Sequence, residues 1–300
     1  MNAALVHPRY WPAWFGIAIL RALSLLPYPW LLRLGRGLGR LLLPIAGQRA
    51  RIARRNLERC FPETDQVQRE QLLKRHFESI GISALEIPLA WWAPAERIAP
   101  LADIEGLENL RAAADAGKGV LLLSAHFTCL EIGGRLLARH FPFHAMYRPA
   151  SDPVVDYLMA NGRRRTCETI IPRDAPKTMI RSLRGGHAVW YAPDQNTQRK
   201  KSVFVRFFGH QASTTPATAK LATLTGARVV PFKAVRKRDG SGYRLVLEPA
   251  LEDFPSGDVE RDTQRINDII ERWVREDPDQ YLWIHRRFRT RPNADDPPFY

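Results

Sequence analysis

Short apolar runs of strand length alternate with segments of helical periodicity from residue 119 onward. The first run, 119–125, carries no charged side chain, which is typical of a strand buried on both faces of a sheet. The sequence predicts further strands at 143–148, 168–171, 187–192, 227–232 and 243–247, and helices at 107–117, 128–140, 153–165, 175–185, 215–225 and 260–276. This alternation predicts an α/β fold with a central mixed sheet flanked by helices.

The N-terminal segment 10–45 is mostly apolar; Trp11, Trp14, Tyr28 and Trp30 flank its first apolar stretch, and arginines follow in and after its second half. This arrangement is typical of a membrane interface. A spanning helix needs about 20 mostly apolar residues, and Arg21, Pro27 and Pro29 interrupt the run. We therefore expect an N-terminal helical membrane anchor that lies in, or marginally spans, the inner leaflet. The alternative is a pair of core helices.

The chain is expected to divide into an N-terminal anchor at 1–46 and an α/β domain at 47–300. The domain begins with helical periodicity over 48–87, broken at Phe61-Pro-Glu-Thr64. An apolar fraction of 45% excludes a disordered chain, and a mean hydropathy of −0.30 excludes a polytopic membrane protein. The three scattered cysteines form neither a disulfide framework nor a zinc-site spacing.

The formal net charge of +14 predicts an anionic partner: a membrane surface, a nucleic acid, or an acidic protein or ligand. Composition does not choose among these. A basic and aromatic stretch at 283–291 leaves the same choice open. Taken alone, this stretch is typical of nucleic-acid binding. Together with the apolar N-terminal segment, it favours a membrane or lipid head-group surface. It can also be a solvated basic face.

The residues that follow the first predicted strand are candidates for catalysis. His126 and Glu131 are five positions apart, which is about 140° of rotation on one helix, so they would not face each other there. They can meet if His126 lies in the turn and Glu131 in the first helical turn. A carboxylate on one imidazole nitrogen would make the other nitrogen a general base. Alternatively, Thr128 and Glu131 form a capping box and His126 is a loop residue.

Short motifs follow one another in order over most of 56–292: Asn56-Leu-x-x-Cys60-Phe-Pro, Ser124-Ala-His-Phe-x4-Glu131, Tyr147-Arg-Pro, Asn161-Gly-Arg-x-Arg165, Trp190-Tyr-Ala-Pro-Asp-Gln195, Phe204-Val-x-Phe-Phe208, Thr214-Thr, Val230-Pro-Phe, and Tyr281-Leu-Trp-x-His-Arg-Arg-Phe-x-Thr-Arg-Pro292. Each motif alone is weak, but the ordered set is specific. With its His-x4-Glu motif the sequence resembles the glycerolipid acyltransferases and, by the ordered set, more narrowly the late acyltransferases of lipid A biosynthesis, the lauroyl/myristoyl transferase family.

The resemblance implies transfer of a fatty acyl chain from acyl carrier protein to a hydroxyl of a Kdo-bearing lipid A precursor. His126 would be the general base and Glu131 would orient it. No metal and no other cofactor is implied, because the acyl thioester is a co-substrate. The implied location is the cytoplasmic face of the bacterial inner membrane, with membrane lipids as partners and no nucleic acid. The alternatives are the same chemistry on a phospholipid precursor or glycolipid and, more remotely, a non-catalytic basic adaptor.

Further residues are candidates for substrate binding. Arg163 fits the family's second motif best, as a contact to a substrate phosphate or to the thioester, although an arginine there also suits a solvated helix C-terminus. Asp194 and Gln195 should lie on the same sheet edge as His126, or form only a turn after Pro193. The remaining candidates are basic residues after a strand, at a helix end and in the C-terminal motif: Arg148, Arg164 and Arg286.

Overall fold

The computed structural model describes residues 3–293 and 295–300. Residues 1 and 2 of the predicted anchor 1–46 and residue 294 of the predicted domain 47–300 lie outside the described residues. The helices are α1 (Trp11–Leu23), α2 (Tyr28–Ile45), α3 (Gln48–Cys60), α4 (Gln66–Trp92), α5 (Ala95–Ile98), α6 (Leu107–Asp115), α7 (Leu130–Leu137), α8 (Pro153–Arg164), α9 (Pro176–Arg184), α10 (Ala217–Thr225) and α11 (Val259–Glu276). The strands are β1 (Ala102–Glu105), β2 (Val120–Leu123), β3 (His144–Tyr147), β4 (Thr169–Pro172), β5 (Ala188–Tyr191), β6 (Val203–Phe207), β7 (His210–Thr214), β8 (Arg228–Arg236) and β9 (Tyr243–Leu247).

A mixed sheet with the strand order β1-β9-β8-β2-β5-β3-β4 forms the centre of the protein. Its pairs are parallel except β8–β9, which is antiparallel. Every residue of β2 is buried, as the apolar run in the sequence requires. The predicted α/β class and mixed sheet are therefore confirmed.

The order of the strands determines which loops come together. β2 lies between β8 and β5, and Leu123 at the end of β2 is in register with Tyr191 at the end of β5. The turn after β2 and the loop after β5 therefore leave the sheet side by side. His126 lies in the first and Asp194 in the second.

Some elements carry too weak a sequence signal to be predicted. β1 is a short edge strand in which half-buried and exposed residues alternate. The hairpin β6–β7 forms a second, two-stranded sheet that contacts α11. Its strands have neither a long apolar run nor a clean alternation, so tertiary packing determines them.

The N-terminal segment folds into α1 and α2 rather than one long apolar helix. Within the described residues, no helix combines the length and the apolar character needed to cross a membrane. One face of α2 packs on α4 through Gly35 and Gly39, which lie against Gly81 and its neighbour Ile82. On that face α2 is packed as a core helix, which is the alternative to a membrane anchor.

Substitution of Gly39 by alanine is expected to destabilise the protein, because a Cβ there would collide with the α4 backbone at Phe77 and Glu78. We expect a loss of about 1–3 kcal/mol in the free energy of unfolding, measured by urea denaturation. Gly37→Ala is the matched control: its Cβ would meet nothing within 4 Å. That control should raise stability by up to about 1 kcal/mol. Equal effects of the two substitutions would contradict the close packing of α2 on α4.

Candidate active site

A histidine–aspartate pair lies at the carboxyl edge of the sheet. The Nδ1 atom of His126 is 2.6 Å from Oδ1 of Asp194, and the backbone N–H of His126 donates to Oδ2 at 3.0 Å. One carboxylate thus fixes both the ring and the backbone of His126. The side chain of Asp194 is 2% exposed and that of His126 is 28% exposed. With Nδ1 taken by Asp194, Nε2 is the nitrogen available to a substrate.

The surroundings of the pair favour a protonated His126 imidazole beside an ionised Asp194 carboxylate. Burial disfavours the imidazolium, but the charge and hydrogen bond of Asp194 outweigh it and raise the pKa of His126 above 6.5, while the positive charge of Arg163 opposes this rise. Burial would raise the pKa of Asp194, yet its contacts with His126 lower it to about 2. Asp194 therefore stays ionised and stabilises the protonated imidazole.

The C-terminal segment holds the turn that carries His126. The backbone N–H of Leu282 donates to the His126 carbonyl at 3.0 Å, and the N–H of Thr128 donates to the Gln280 carbonyl at 2.8 Å. Phe127 and Tyr281 form an antiparallel bridge between these hydrogen bonds. Sequence patterns gave no signal for this support, since the two segments are about 150 residues apart.

The aromatic side chains Trp283 and Phe288 of the stretch 283–291 are not on the surface, whereas Arg289 is exposed. Trp283, Arg287 and Phe288 are buried. The Arg287 guanidinium donates to the Ser213 carbonyl at 2.8 Å and to Thr214 Oγ1 at 2.6 Å. Part of this stretch therefore lies inside the protein and connects the turn that carries His126 to β7.

Glu131 does not take the expected position against His126. Its carboxylate accepts hydrogen bonds from Arg163, with Nε 3.0 Å from Oε1, and from Trp91, with Nε1 3.2 Å from Oε2. Because Glu131 is the second residue of α7, its side chain meets α8 and α4, whereas the loop after the neighbouring strand β5 supplies the carboxylate that contacts His126. The predicted Glu131–His126 contact is therefore wrong, and Asp194 occupies that position instead.

The capping-box alternative is also wrong. The N-cap of α7 is Cys129, which makes no side-chain capping hydrogen bond. The Thr128 hydroxyl instead lies 2.6 Å from Ser79 Oγ on α4, and the Ser83 hydroxyl donates to the Thr128 carbonyl. Thr128 thus attaches the turn that carries His126 to α4.

The other residues predicted to contact substrate differ in their surroundings. Gln195 lines a cavity of about 590 Å³ at the carboxyl ends of β3, β4 and β5. Apolar side chains form part of its wall and Arg173, Lys201 and Lys220 contribute positive charge. Arg163 and Glu131 line a smaller, mainly apolar pocket. Arg148 and Arg164 are exposed and Arg286 is half-buried. The large cavity can hold an elongated ligand that has an apolar part and an anionic part.

Comparison with known proteins identifies the family. The sequence model of the bacterial lipid A biosynthesis acyltransferases matches residues 1–290. The chain is 41% identical over 294 residues to the lipid A biosynthesis lauroyltransferase of Escherichia coli strain K12, covering 98% of this chain and 96% of the relative. It is 40% identical to the palmitoleoyltransferase of the same strain (96% and 94% covered) and 33% identical to the myristoyltransferase (98% and 91% covered). The chain belongs to the bacterial lipid A biosynthesis acyltransferase family.

Proposed function

We propose that the protein transfers a fatty acyl chain from acyl carrier protein to a hydroxyl of the Kdo-bearing lipid A precursor. The main support for this proposal is the His126–Asp194 pair, which presents a general base at the edge of the sheet where α/β proteins usually bind their ligands. The family supports the acyl transfer and the lipid A pathway. The names of the relatives, which transfer lauroyl, palmitoleoyl or myristoyl groups, support a fatty acyl donor.

The proposed reaction is a direct transfer. Nε2 of His126 removes the proton from the acceptor hydroxyl as the oxygen attacks the thioester carbonyl. The tetrahedral intermediate then expels the thiolate, which takes the proton from the imidazolium. Asp194 holds the ring in the required tautomer and stabilises its positive charge. This route needs no acyl-enzyme, metal or other cofactor, since the thioester supplies the leaving group.

In this proposal Glu131 is a positioning residue for Arg163. Both side chains are largely shielded from water, at 16% and 19% exposure, and face the small apolar pocket. A guanidinium fixed by a carboxylate remains available to bind a phosphate or the thioester oxygen through its free N–H groups. Arg148, Arg164, Gln195 and Arg286 remain proposed substrate contacts.

The charge distribution supports the proposed donor. Acyl carrier protein is acidic, and the formal net charge of +14 favours its association. The cationic residues Arg173, Lys201 and Lys220 lie at the large cavity beside Gln195. We propose that the acidic carrier docks near this cavity and presents its thioester toward His126.

We further propose that α1 and α2 attach the enzyme to the cytoplasmic face of the inner membrane. Exposed apolar side chains recur along both helices at helical spacing: Trp11, Phe15 and Ile19 on α1, and Trp30, Leu34, Leu41 and Ile45 on α2. Arg33 stacks on Trp30 beside these residues. Apolar faces flanked by arginines are typical of helices that lie in the interface of an anionic membrane.

Membrane attachment is tested by removing apolar side chains from α1. The double variant Trp11→Ser/Phe15→Ser is expected to lower the partition coefficient onto anionic lipid vesicles by at least about tenfold, given the free energy of burying aromatic rings. Val67→Ser is the control, since Val67 is an equally exposed apolar residue on α4. Unchanged vesicle binding in the double variant would contradict attachment through α1.

The general-base role predicts the pH dependence of the reaction. The imidazole must be unprotonated to act, so kcat/KM should fall at low pH with a midpoint above 6.5. Asp194→Asn removes the charge that stabilises the imidazolium, so the midpoint should move to lower pH while the plateau rate decreases. A midpoint that stays in place in Asp194→Asn would contradict the proposed pairing.

The function itself is tested by an acyl-transfer assay. The purified protein is incubated with acyl carrier proteins of several chain lengths, or with the matching acyl-CoA, and with the Kdo-bearing tetra-acylated precursor. We expect product from the carrier-protein donor. Transfer only to a phospholipid precursor or glycolipid would establish the alternative acceptor, and no transfer to any acceptor would contradict the proposal.

A further inference from the structure

Two histidines and a glutamate meet at the amino edge of the sheet, opposite the His126 edge. His144 is the first residue of β3, Glu168 immediately precedes β4, and His187 immediately precedes β5. Because β3 pairs in parallel with both β4 and β5, the starts of the three strands are adjacent. The three side chains each offer a ligand atom, and these atoms all lie within 4.8 Å of one another.

The geometry of the cluster already approaches that of a metal site. Nε2 of His144 is 3.6 Å from Oε2 of Glu168. Two ligands held at about 2.1 Å in a tetrahedral arrangement are about 3.4 Å apart, so a cation fits between these atoms. The ring of His187 stacks on that of His144 at 4.4 Å between centroids. His187 and Glu168 are exposed, so both can adjust toward a common cation.

A hydrogen bond with Ser182 orients His144 for binding a metal ion. Its Nδ1 lies 2.7 Å from the hydroxyl of Ser182 on α9, and the histidine is buried. With Nδ1 engaged by the hydroxyl, Nε2 faces the cluster. A hydrogen bond to the non-ligating nitrogen is the usual support of a metal-bound histidine, because it fixes the orientation of the ring.

We propose that His144, Glu168 and His187 bind one divalent transition-metal ion of the zinc class, with water completing the coordination. Two imidazoles and one carboxylate are a ligand set that zinc accepts. The site is about one strand length, roughly 13 Å, from the carboxyl edge, so it serves the fold rather than the acyl transfer. A bound ion would join the starts of β3, β4 and β5 and thereby stabilise the half of the sheet that carries Asp194.

The test uses the full chain without a histidine tag, freed of metal by a chelator. Titration with Zn²⁺ should show one saturable site and raise the melting temperature by about 3–6 °C at saturation. Bound Co²⁺ should give the visible absorption of a tetrahedral nitrogen and oxygen site. Because His187 and Glu168 are exposed, His187→Ala and Glu168→Gln should fold normally and bind Zn²⁺ at least about tenfold more weakly. Ser182→Ala should weaken binding by about 10- to 100-fold.

His140→Ala is the control, since His140 is an exposed histidine at the end of the turn after α7 and outside the cluster. It should keep the full Zn²⁺ response. The proposal is overturned if the wild-type protein shows no saturable shift, or if His187→Ala and Glu168→Gln respond as the wild type does. In the second case Zn²⁺ binds elsewhere, and the three side chains are neighbours at the sheet edge without being a metal site.

Discussion

Replacement of His126 by alanine is expected to lower the rate constant for acyl transfer by about 10²- to 10⁴-fold, the usual contribution of a general base. The expected loss follows from the geometry: Asp194 occupies Nδ1, and the partly exposed ring leaves Nε2 for the acceptor hydroxyl. The transfer assay with acyl carrier protein and the lipid A precursor measures the effect under single-turnover conditions.

The alanine variant alone leaves the buried carboxylate of Asp194 without its imidazole partner, which could disturb the fold. His126→Asn avoids this problem, because its amide can still donate to Asp194 but cannot act as a base. His140→Ala controls for the loss of a histidine that has no part in the reaction. If His126→Asn is folded and retains the wild-type rate, His126 is not the general base.

Substitution of Arg236 by methionine is expected to lower the free energy of unfolding by about 3–5 kcal/mol. Two guanidinium nitrogens of Arg236 donate to the two oxygens of Glu86 at 2.6 Å, and the Tyr243 hydroxyl donates to Glu86 at 2.6 Å. All three side chains are buried. Without Arg236 the charge of Glu86 is left in the core, which is why the penalty is large.

The same network also reaches the turn that carries His126. Arg236 Nη1 donates to Ser79 Oγ at 3.0 Å, and Ser79 lies 2.6 Å from the Thr128 hydroxyl. We therefore expect Arg236→Met to reduce acyl transfer as well as stability.

The double variant Arg236→Met/Glu86→Leu removes the buried charge and should recover much of the lost stability. The control is Arg54→Met, because the pair Arg54–Glu70 is about half exposed and contributes less than about 1 kcal/mol. Urea denaturation measures all three. A loss in Arg236→Met no larger than in Arg54→Met would contradict the role of this network.

The sheet could be predicted from the sequence because burial on both faces leaves a local signal. The run 119–125 contains β2, and the predicted strand 243–247 coincides with β9. The edge strand β1 and the hairpin β6–β7 lack that signal, because their positions depend on packing against the rest of the chain.

The sequence predicts which residues belong to the candidate site better than it predicts which of them are in contact. His126 and Asp194 each follow an apolar strand, so the sequence placed both on one edge. Their contact depends on β2 lying next to β5, and strand order is not visible in a single sequence. The sequence therefore favours the nearby Glu131 as the partner. The cluster of His144, Glu168 and His187 left no local pattern for the same reason, since its members come from three strand starts.

Titration of ¹³C-labelled histidine by NMR tests directly whether Asp194, and not Glu131, stabilises the protonated ring of His126. The His126 signal is assigned by its loss in His126→Asn. We expect a pKa of His126 above 6.5 in the wild type and below 6.5 in Asp194→Asn, because burial then acts without the opposing carboxylate. Glu131→Gln should change this pKa much less. A large fall in Glu131→Gln with an unchanged value in Asp194→Asn would contradict the His126–Asp194 pairing.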